Sequence, residues 1–163
     1  MEIRAELSVS SIGEAIAKLE NFSVNVENVC KDIVDYLLTI GEQELINNIS
    51  SSINGELSSG ELLSSIVVEN KGTEGFLKVT APHAVFAEFG IGIKGSGTYP
   101  SDSPFKPDGY RTEIWTYKND KDGKFYTTEG YQAKRFMYNT YMYLLQMQDS
   151  AIDYAINKNL EAK

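Results

Sequence analysis

Apolar residues recur at steps of three and four through the first third of the chain. Asn25 can cap a helix, and an apolar stripe follows it from Val26 to Ile49. In residues 1–24 the pattern is weaker and predicts an extended arm followed by a short helix. Gly41 lies within the long stripe, where glycine costs about 1 kcal/mol relative to alanine. We therefore expect another element to cross close to this glycine.

Two later segments alternate between apolar and polar residues on both sides of a turn. The first consists of residues 61–69 and 76–80, and the second of residues 112–117 and 123–128. Short alternating runs separated by Gly, Asn and Asp are typical of β-hairpins. Each segment is therefore predicted to form an antiparallel pair of strands, and the second pair has a charged tip.

The remaining segments divide into loops and a final helix. Ser50–Gly60 is rich in Ser, Asn and Gly and predicts a loop, and residues 91–109, rich in Gly and Pro, predict a long flexible one. From Gln132 to about Leu160 the apolar residues return to helical spacing. The 163 residues are thus interpreted as a single α+β domain, with an antiparallel sheet of two hairpins packed against two long helices.

A short helix of about two turns is predicted between the hairpins. Pro82 suits its first turn because its fixed φ is helical and its missing N–H is not needed there. Gly90 can end it in the left-handed conformation. On this helix Phe86 and Phe89 are expected to reach a core, whereas Glu88 is expected to be directed elsewhere.

A carboxylate on a helix this close to the core needs a partner. Lys134 and Arg135, at the start of the last helix, are the candidates. The simpler interpretation is that both side chains are charged groups exposed to solvent. The alternative is that Arg135 pairs with Glu88 and joins the short helix to the long one.

The overall charge bears on the partners that the protein can have. Fifteen Lys and Arg stand against 23 Asp and Glu, and the net charge is −8. This balance disfavours non-specific binding to a phosphate backbone, although it allows nucleic acid to pass without sticking. The 10 Tyr and 7 Phe are typical of a surface that makes protein contacts.

The sequence contains few groups that could perform catalysis. His83 is the one histidine and has no partner at metal-ligand spacing, so we expect it to lie at the surface or to cap backbone. The glycines of residues 90–97 lack the lysine and following helix of a phosphate-binding loop. Cys30, the one cysteine, is expected to be a buried, inert thiol. We expect no catalytic constellation, cofactor or metal, and neither a signal peptide nor a membrane span is predicted.

Two short motifs carry a resemblance to a known family. Ala81-Pro82-His83-Ala84-Val85-Phe86-Ala87-Glu88-Phe89-Gly90 is followed by the glycine-rich segment, the Trp115 hairpin and then Gly130-Tyr131-Gln132-Ala133-Lys134-Arg135-Phe136-Met137. This order resembles the head-tail joining, or tail-completion, proteins of long-tailed bacteriophages. That family has a Glu-x-Gly motif and, at a distance, Gly-x-x-Ala-x-Pro-Phe. Here Ile91 stands where threonine is common, and Arg135 where proline is usual.

The resemblance implies a non-enzymatic virion protein at the phage neck or the top of the tail. It implies assembly as a ring, expected to be a hexamer, around a channel through which DNA passes without specific binding. The implied partners are head connector or stopper proteins and tail tube or terminator proteins, with no membrane; the implied locations are the virion and, during assembly, the host cytoplasm. The structural and assembly residues are then Glu88, Phe86, Phe89, Gly90, Trp115, Arg135 and Phe136.

Two surfaces are expected to take part in such assembly. Residues 91–109 would be mobile in the free subunit and become ordered on a neighbour. The hairpin that contains Trp115 would extend a sheet between subunits through its exposed edge.

Two other classes of function are alternatives to a phage neck protein. A small acidic cytosolic enzyme would need a second catalytic group near His83. A DNA-mimic inhibitor would need carboxylates spaced like phosphates on one face, whereas here they are scattered among lysines.

Overall fold

The computed structural model describes residues 9–52, 59–105, 111–119 and 122–160, and the α+β class is confirmed. In chain order the elements are α1 (Val9–Ser52), α2 (Ser59–Ser64), β1 (Ile66–Asn70), β2 (Gly75–Val79), α3 (Ala84–Phe89), α4 (Gly92–Gly95), β3 (Trp115–Lys118), β4 (Phe125–Thr128), α5 (Phe136–Gln146) and α6 (Gln148–Leu160). Helices α5 and α6 both pack along α1, which forms the spine of the fold.

Helix α1 is continuous over 44 residues, so the short first helix and the start at Asn25 are wrong. No glycine or proline lies between Leu19 and Asn25, and a potential cap does not by itself interrupt a helix whose backbone bonds can continue. The extended arm was predicted mainly in residues 1–8, which lie outside the described part. Cys30 is exposed on α1 rather than buried. The end of α6 meets α1 at Asp32, through Lys158 and Asn159. Residues two apart on a helix do not face the same side, so Cys30 is not covered by this contact.

The close crossing at Gly41 is confirmed. A Cβ atom added there would lie 2.7 Å from Leu77 of β2 and 3.2 Å from Leu144 of α5. Gly41 therefore lies where the first hairpin and α5 both pack closely against α1. The core beside this crossing is a cluster of buried side chains: Leu45, Ile49, Leu62, Ala81, Ala84, Ala87 and Phe136.

Both predicted hairpins are present. Strands β1 and β2 pair antiparallel with Val68 opposite Leu77, and β3 and β4 pair antiparallel with Tyr117 opposite Tyr126. Each hairpin forms a two-stranded sheet of its own in the described residues, and they are not joined in one sheet.

Several boundaries differ from those predicted. Residues 61–64 belong to α2 rather than to a strand. Of the predicted loop Ser50–Gly60, the first three residues continue α1, the last two begin α2, and 53–58 lie outside the described part. The final helix is divided at Met147 into α5 and α6, although the Met147 N–H still bonds to the Tyr143 carbonyl.

No helix in the described ranges is long and apolar enough to cross a membrane.

Candidate functional site

The two segments that carry the family resemblance lie side by side. The backbone N–H groups of Lys134 and Arg135 donate to the carbonyl oxygens of Ala87 (2.9 Å) and Glu88 (3.2 Å). Ile91 and Tyr131 exchange two backbone hydrogen bonds, of 3.0 and 2.9 Å. The end of α3 and the approach to α5 therefore form one structural unit.

Glu88 lies at the centre of this unit and is 4% exposed. Its carboxylate accepts hydrogen bonds from the backbone N–H groups of Met137 (2.8 Å) and Tyr138 (2.9 Å) and from the Tyr99 hydroxyl (2.9 Å). Met137 and Tyr138 are in the first turn of α5, whose N–H groups have no partner within the helix. Arg135 occupies the N-cap position and makes no side-chain cap bond. Glu88 thus caps a helix from a distant part of the chain.

Two expectations about Glu88 are corrected by this geometry. The side chain points into the protein, and its partner is the start of α5 rather than a basic side chain. The Arg135 guanidinium instead donates to the backbone carbonyl of Thr98. The helix N-terminus provides both hydrogen-bond donors and partial positive charge, so the buried carboxylate is satisfied without a salt bridge.

Burial and hydrogen bonding act in opposite directions on this carboxyl group. Removal from water raises the pKa of Glu88 above its usual value, while the bonds from Met137, Tyr138 and Tyr99 lower it by less. The pKa of the Tyr99 phenol is raised as well, first by burial and then by the neighbouring charge of Glu88.

The two phenylalanines of α3 have different environments. Phe86 is 41% exposed, so its predicted place in the core is wrong. Phe89 is half-buried, and its ring lies 4.5 Å from that of Tyr99. The buried residues of α3 are Ala84, Ala87 and Glu88, so its inward face consists of two small side chains and one carboxylate. Gly90 ends α3 with the predicted positive φ, 76°, but its ψ of 168° is extended rather than left-handed helical. A Cβ there would meet the Ala133 nitrogen at 2.6 Å.

Residues 91–105 contain the short helix α4 and contact the rest of the domain. The backbone N–H of Ala133 donates to the Thr98 hydroxyl (2.9 Å), and Ile91 is buried. The Phe105 ring meets that of Tyr141 edge-on at 5.2 Å. The segment is thus in contact with its own chain, and its ordering on a neighbouring subunit stays a prediction; residues 106–109 lie outside the described part.

Arg135 and Phe136 make the turn into α5. Phe136 is fully buried in the core. Arg135 has φ of 58°, which proline cannot adopt because its ring holds φ near −65°. The departure from the family pattern at this position is therefore also a departure in backbone conformation.

Trp115 lies at the base of the second hairpin and is half-buried. A Cβ added to Gly92 would lie 2.9 Å from its ring, so Trp115 packs against the backbone of α4. Beyond this anchor the side chains are open to solvent, and Phe125 is 73% exposed. Ile114, Tyr117 and Tyr126 are exposed too.

A groove of about 490 Å³ runs between β2, α3 and α5. Its walls are mostly aromatic and aliphatic and include Phe76, Phe89, Phe105, Met137 and Leu144. Glu88 also borders it, but the carboxylate oxygens are held by the bonds described above. The groove and the role of Tyr99 were not found from the sequence, since no local pattern links Tyr99 to Glu88.

His83 stands at the N-cap position of α3 and makes no side-chain cap bond. Its Nδ1 atom lies 3.8 Å from a carboxylate oxygen of Glu61, and its Nε2 atom is buried with no hydrogen-bond partner among the described residues. Within the same part of the chain, no cluster of three His, Cys, Asp or Glu side chains could hold a metal ion.

The chain matches no protein-family model, and neither a curated protein nor a solved structure is significantly similar to it. Its function must therefore be inferred from its residues and their geometry.

Proposed function

We propose that this protein is a structural subunit of the neck or tail top of a long-tailed bacteriophage, and that it forms a ring joining head to tail around the DNA channel. The observation that carries the proposal is the junction of the two resembling segments at Glu88. A resemblance that reflects a shared fold requires its two motifs to lie together in the structure. Here they share backbone hydrogen bonds, and the glutamate of one caps the helix that follows the other.

The surface supports a protein that assembles with others. Large apolar side chains are exposed on α3 and on the second hairpin, among them Val85, Phe86, Phe125 and Tyr126. Exposed aromatic side chains of this kind are typical of protein interfaces. Since the net charge of −8 gives little attraction to phosphates, such a ring would let DNA pass without holding it.

The alternative classes have less support. A DNA mimic needs unneutralised carboxylates in a row, but Glu27, Glu69, Glu129 and Asp32 each pair with a lysine. An enzyme needs a nucleophile or base within reach of a partner. In the described part of the groove wall, the carboxylate of Glu88 already bonds the start of α5.

The proposal is tested with the purified full chain. We expect sedimentation to show a concentration-dependent oligomer and negative-stain microscopy to show rings with a central channel. Duplex DNA should not be retained at low salt. A strict monomer at all concentrations, or tight DNA binding, would contradict the proposal.

A further inference from the structure

Among the described residues, the second hairpin is a sheet without a third strand. The main contacts of β3 and β4 are with each other. Trp115 anchors the base, and an exposed ion pair of 3.3 Å links Lys94 of α4 to Glu129. A two-stranded hairpin is only marginally stable in water, and a third strand is a common way to stabilise it.

The hydrogen-bonding edges of this hairpin can be read from its register. The Asn119 N–H donates to the Lys124 carbonyl at 2.8 Å, and these two residues extend the register of β3 with β4 by one position. Bonded and non-bonded pairs alternate along an antiparallel ladder. The backbone groups of Thr116 on β3 and of Thr127 on β4 therefore point away from the hairpin, on opposite edges.

We propose that the hairpins of successive subunits join head to tail, with the β3 edge of one copy pairing antiparallel with the β4 edge of the next. The inference rests on the proposed ring and names the surface that would close it. Because the two edges differ, the contact is heterologous, and contacts of that kind generate rings when their rotation closes.

Charge disfavours contact between two β3 edges. The chain beside the β3 edge carries Arg111, Lys118 and Glu113, which is two cations and one anion. Beside the β4 edge, Asp122 and Lys124 carry opposite charges, and the charge of Glu129 is balanced by Lys94. Pairing β3 with β3 would therefore bring two positive edges together, whereas pairing β3 with β4 would not.

Cross-linking between two single-cysteine variants tests the pairing. Thr116→Cys and Thr127→Cys are each made in a Cys30→Ser background, one with a size tag, mixed at high concentration and treated with a short bismaleimide. We expect the mixture to yield several-fold more cross-linked heterodimer than either variant alone yields homodimer. A matched pair, Glu42→Cys with Asn157→Cys, places exposed cysteines on α1 and α6 and should show no such excess. Dominant homodimers, or an equal yield from the matched pair, would overturn the inference.

A substitution at one position separates edge pairing from loss of the fold. Thr116→Pro removes an outward N–H, while Thr116→Val keeps it. We expect the proline variant to lose the oligomer with unchanged circular dichroism and the valine variant to retain it. If the proline variant also has a lower melting temperature, the cross-linking yield of the two cysteine variants decides whether the edges pair.

The two proposals fail in different ways. Rings that form without the β3–β4 cross-link would refute the edge pairing and leave the proposed function standing. Cross-linked dimers or open filaments without rings would support the edge pairing and refute the ring. A monomer that gives no cross-link would count against both.

Discussion

The Oε2 atom of Glu88 lies 2.8 Å from the backbone nitrogen of Met137, a residue 49 positions away in the sequence. Helix α5 thus receives its N-terminal cap from a carboxylate on α3. Capping residues normally stand at the end of their own helix and contribute about 0.5 to 2 kcal/mol. The arrangement here also joins two parts of the tertiary structure, so a loss at Glu88 should affect the whole domain.

We expect Glu88→Gln to lower the free energy of unfolding at pH 7 by about 1 to 3 kcal/mol, the usual cost of leaving a buried donor unsatisfied. The amide nitrogen is a donor and cannot accept the N–H of Met137 or Tyr138. Urea denaturation measures the loss, and Glu42→Gln, on an exposed part of α1, is the matched control. Equal stability of the two variants would mean that the cap contributes nothing.

Tyr99→Phe should remove one bond to the same carboxylate while keeping the contact of its ring with Phe89. Combined with Glu88→Gln, it forms a double-mutant cycle, in which groups that share a bond couple by about 0.5 to 3 kcal/mol. Additive effects would show that the Tyr99 hydroxyl does not stabilise the cap. The same cycle with a substitution of Arg135 should be closer to additive, because its guanidinium bonds to Thr98 instead.

The raised pKa of Glu88 predicts a pH dependence with a definite sign. In the folded protein this carboxyl holds its proton to a higher pH than in the unfolded chain, where the pKa is about 4.5. Its contribution to stability is therefore fully present below the unfolded pKa and is lost as pH rises through the folded one. We expect the stability of the wild type relative to Glu88→Gln to decline across this window. Urea denaturation at several pH values isolates the effect, since the other carboxyls titrate in both proteins; a rising difference would contradict it.

Two glycines separate the cost of backbone conformation from the cost of close packing. Gly92 and Gly97 have φ of 74° and 70°, but Gly92 lies against Trp115 and the carbonyl of Glu129, whereas a Cβ at Gly97 meets nothing within 4 Å. Gly97→Ala should therefore cost about 1 to 2 kcal/mol, the penalty of the left-handed region. Gly92→Ala should cost clearly more, because backbone atoms cannot move aside as a flexible side chain can. Thermal unfolding measures the loss of stability in both variants. Equal losses would argue against the close approach of Gly92 to Trp115 and Glu129.

Arg135→Pro tests the turn into α5. Proline cannot adopt φ of 58° and would also remove the N–H that bonds to the Glu88 carbonyl, so we expect a loss of more than about 1 kcal/mol. Arg135→Gly accepts the same φ and keeps the N–H, and should be better tolerated despite losing the bond to Thr98. Urea denaturation of both variants compares their free energies of unfolding. A proline variant as stable as wild type would mean that this turn can adopt the backbone conformation that proline requires.

Much of the secondary structure follows from local pattern. The apolar spacing of α1 from Val26 onward, the alternation in both hairpins and the end of α3 at Gly90 are each read from residues close in sequence. The start of α3 differs, because the helix begins at Ala84 rather than at Pro82. These features were recognised because they depend on backbone geometry with periods of 3.6 and 2. The boundary at Asn25 was wrong because a potential cap is a weak, local signal, and the helix continued through it.

The sequence by itself determined the class of fold, the places of its hairpins and the need for a partner at Glu88. Only the tertiary structure decided that this partner is the start of α5, that Tyr99 joins it, and that residues 91–105 pack on their own chain. The physical reason is that a buried carboxylate can be satisfied by a basic side chain or by backbone N–H groups, and sequence patterns reveal only the first. Backbone donors are the same in every residue except proline, so their position becomes known only once the chain has folded.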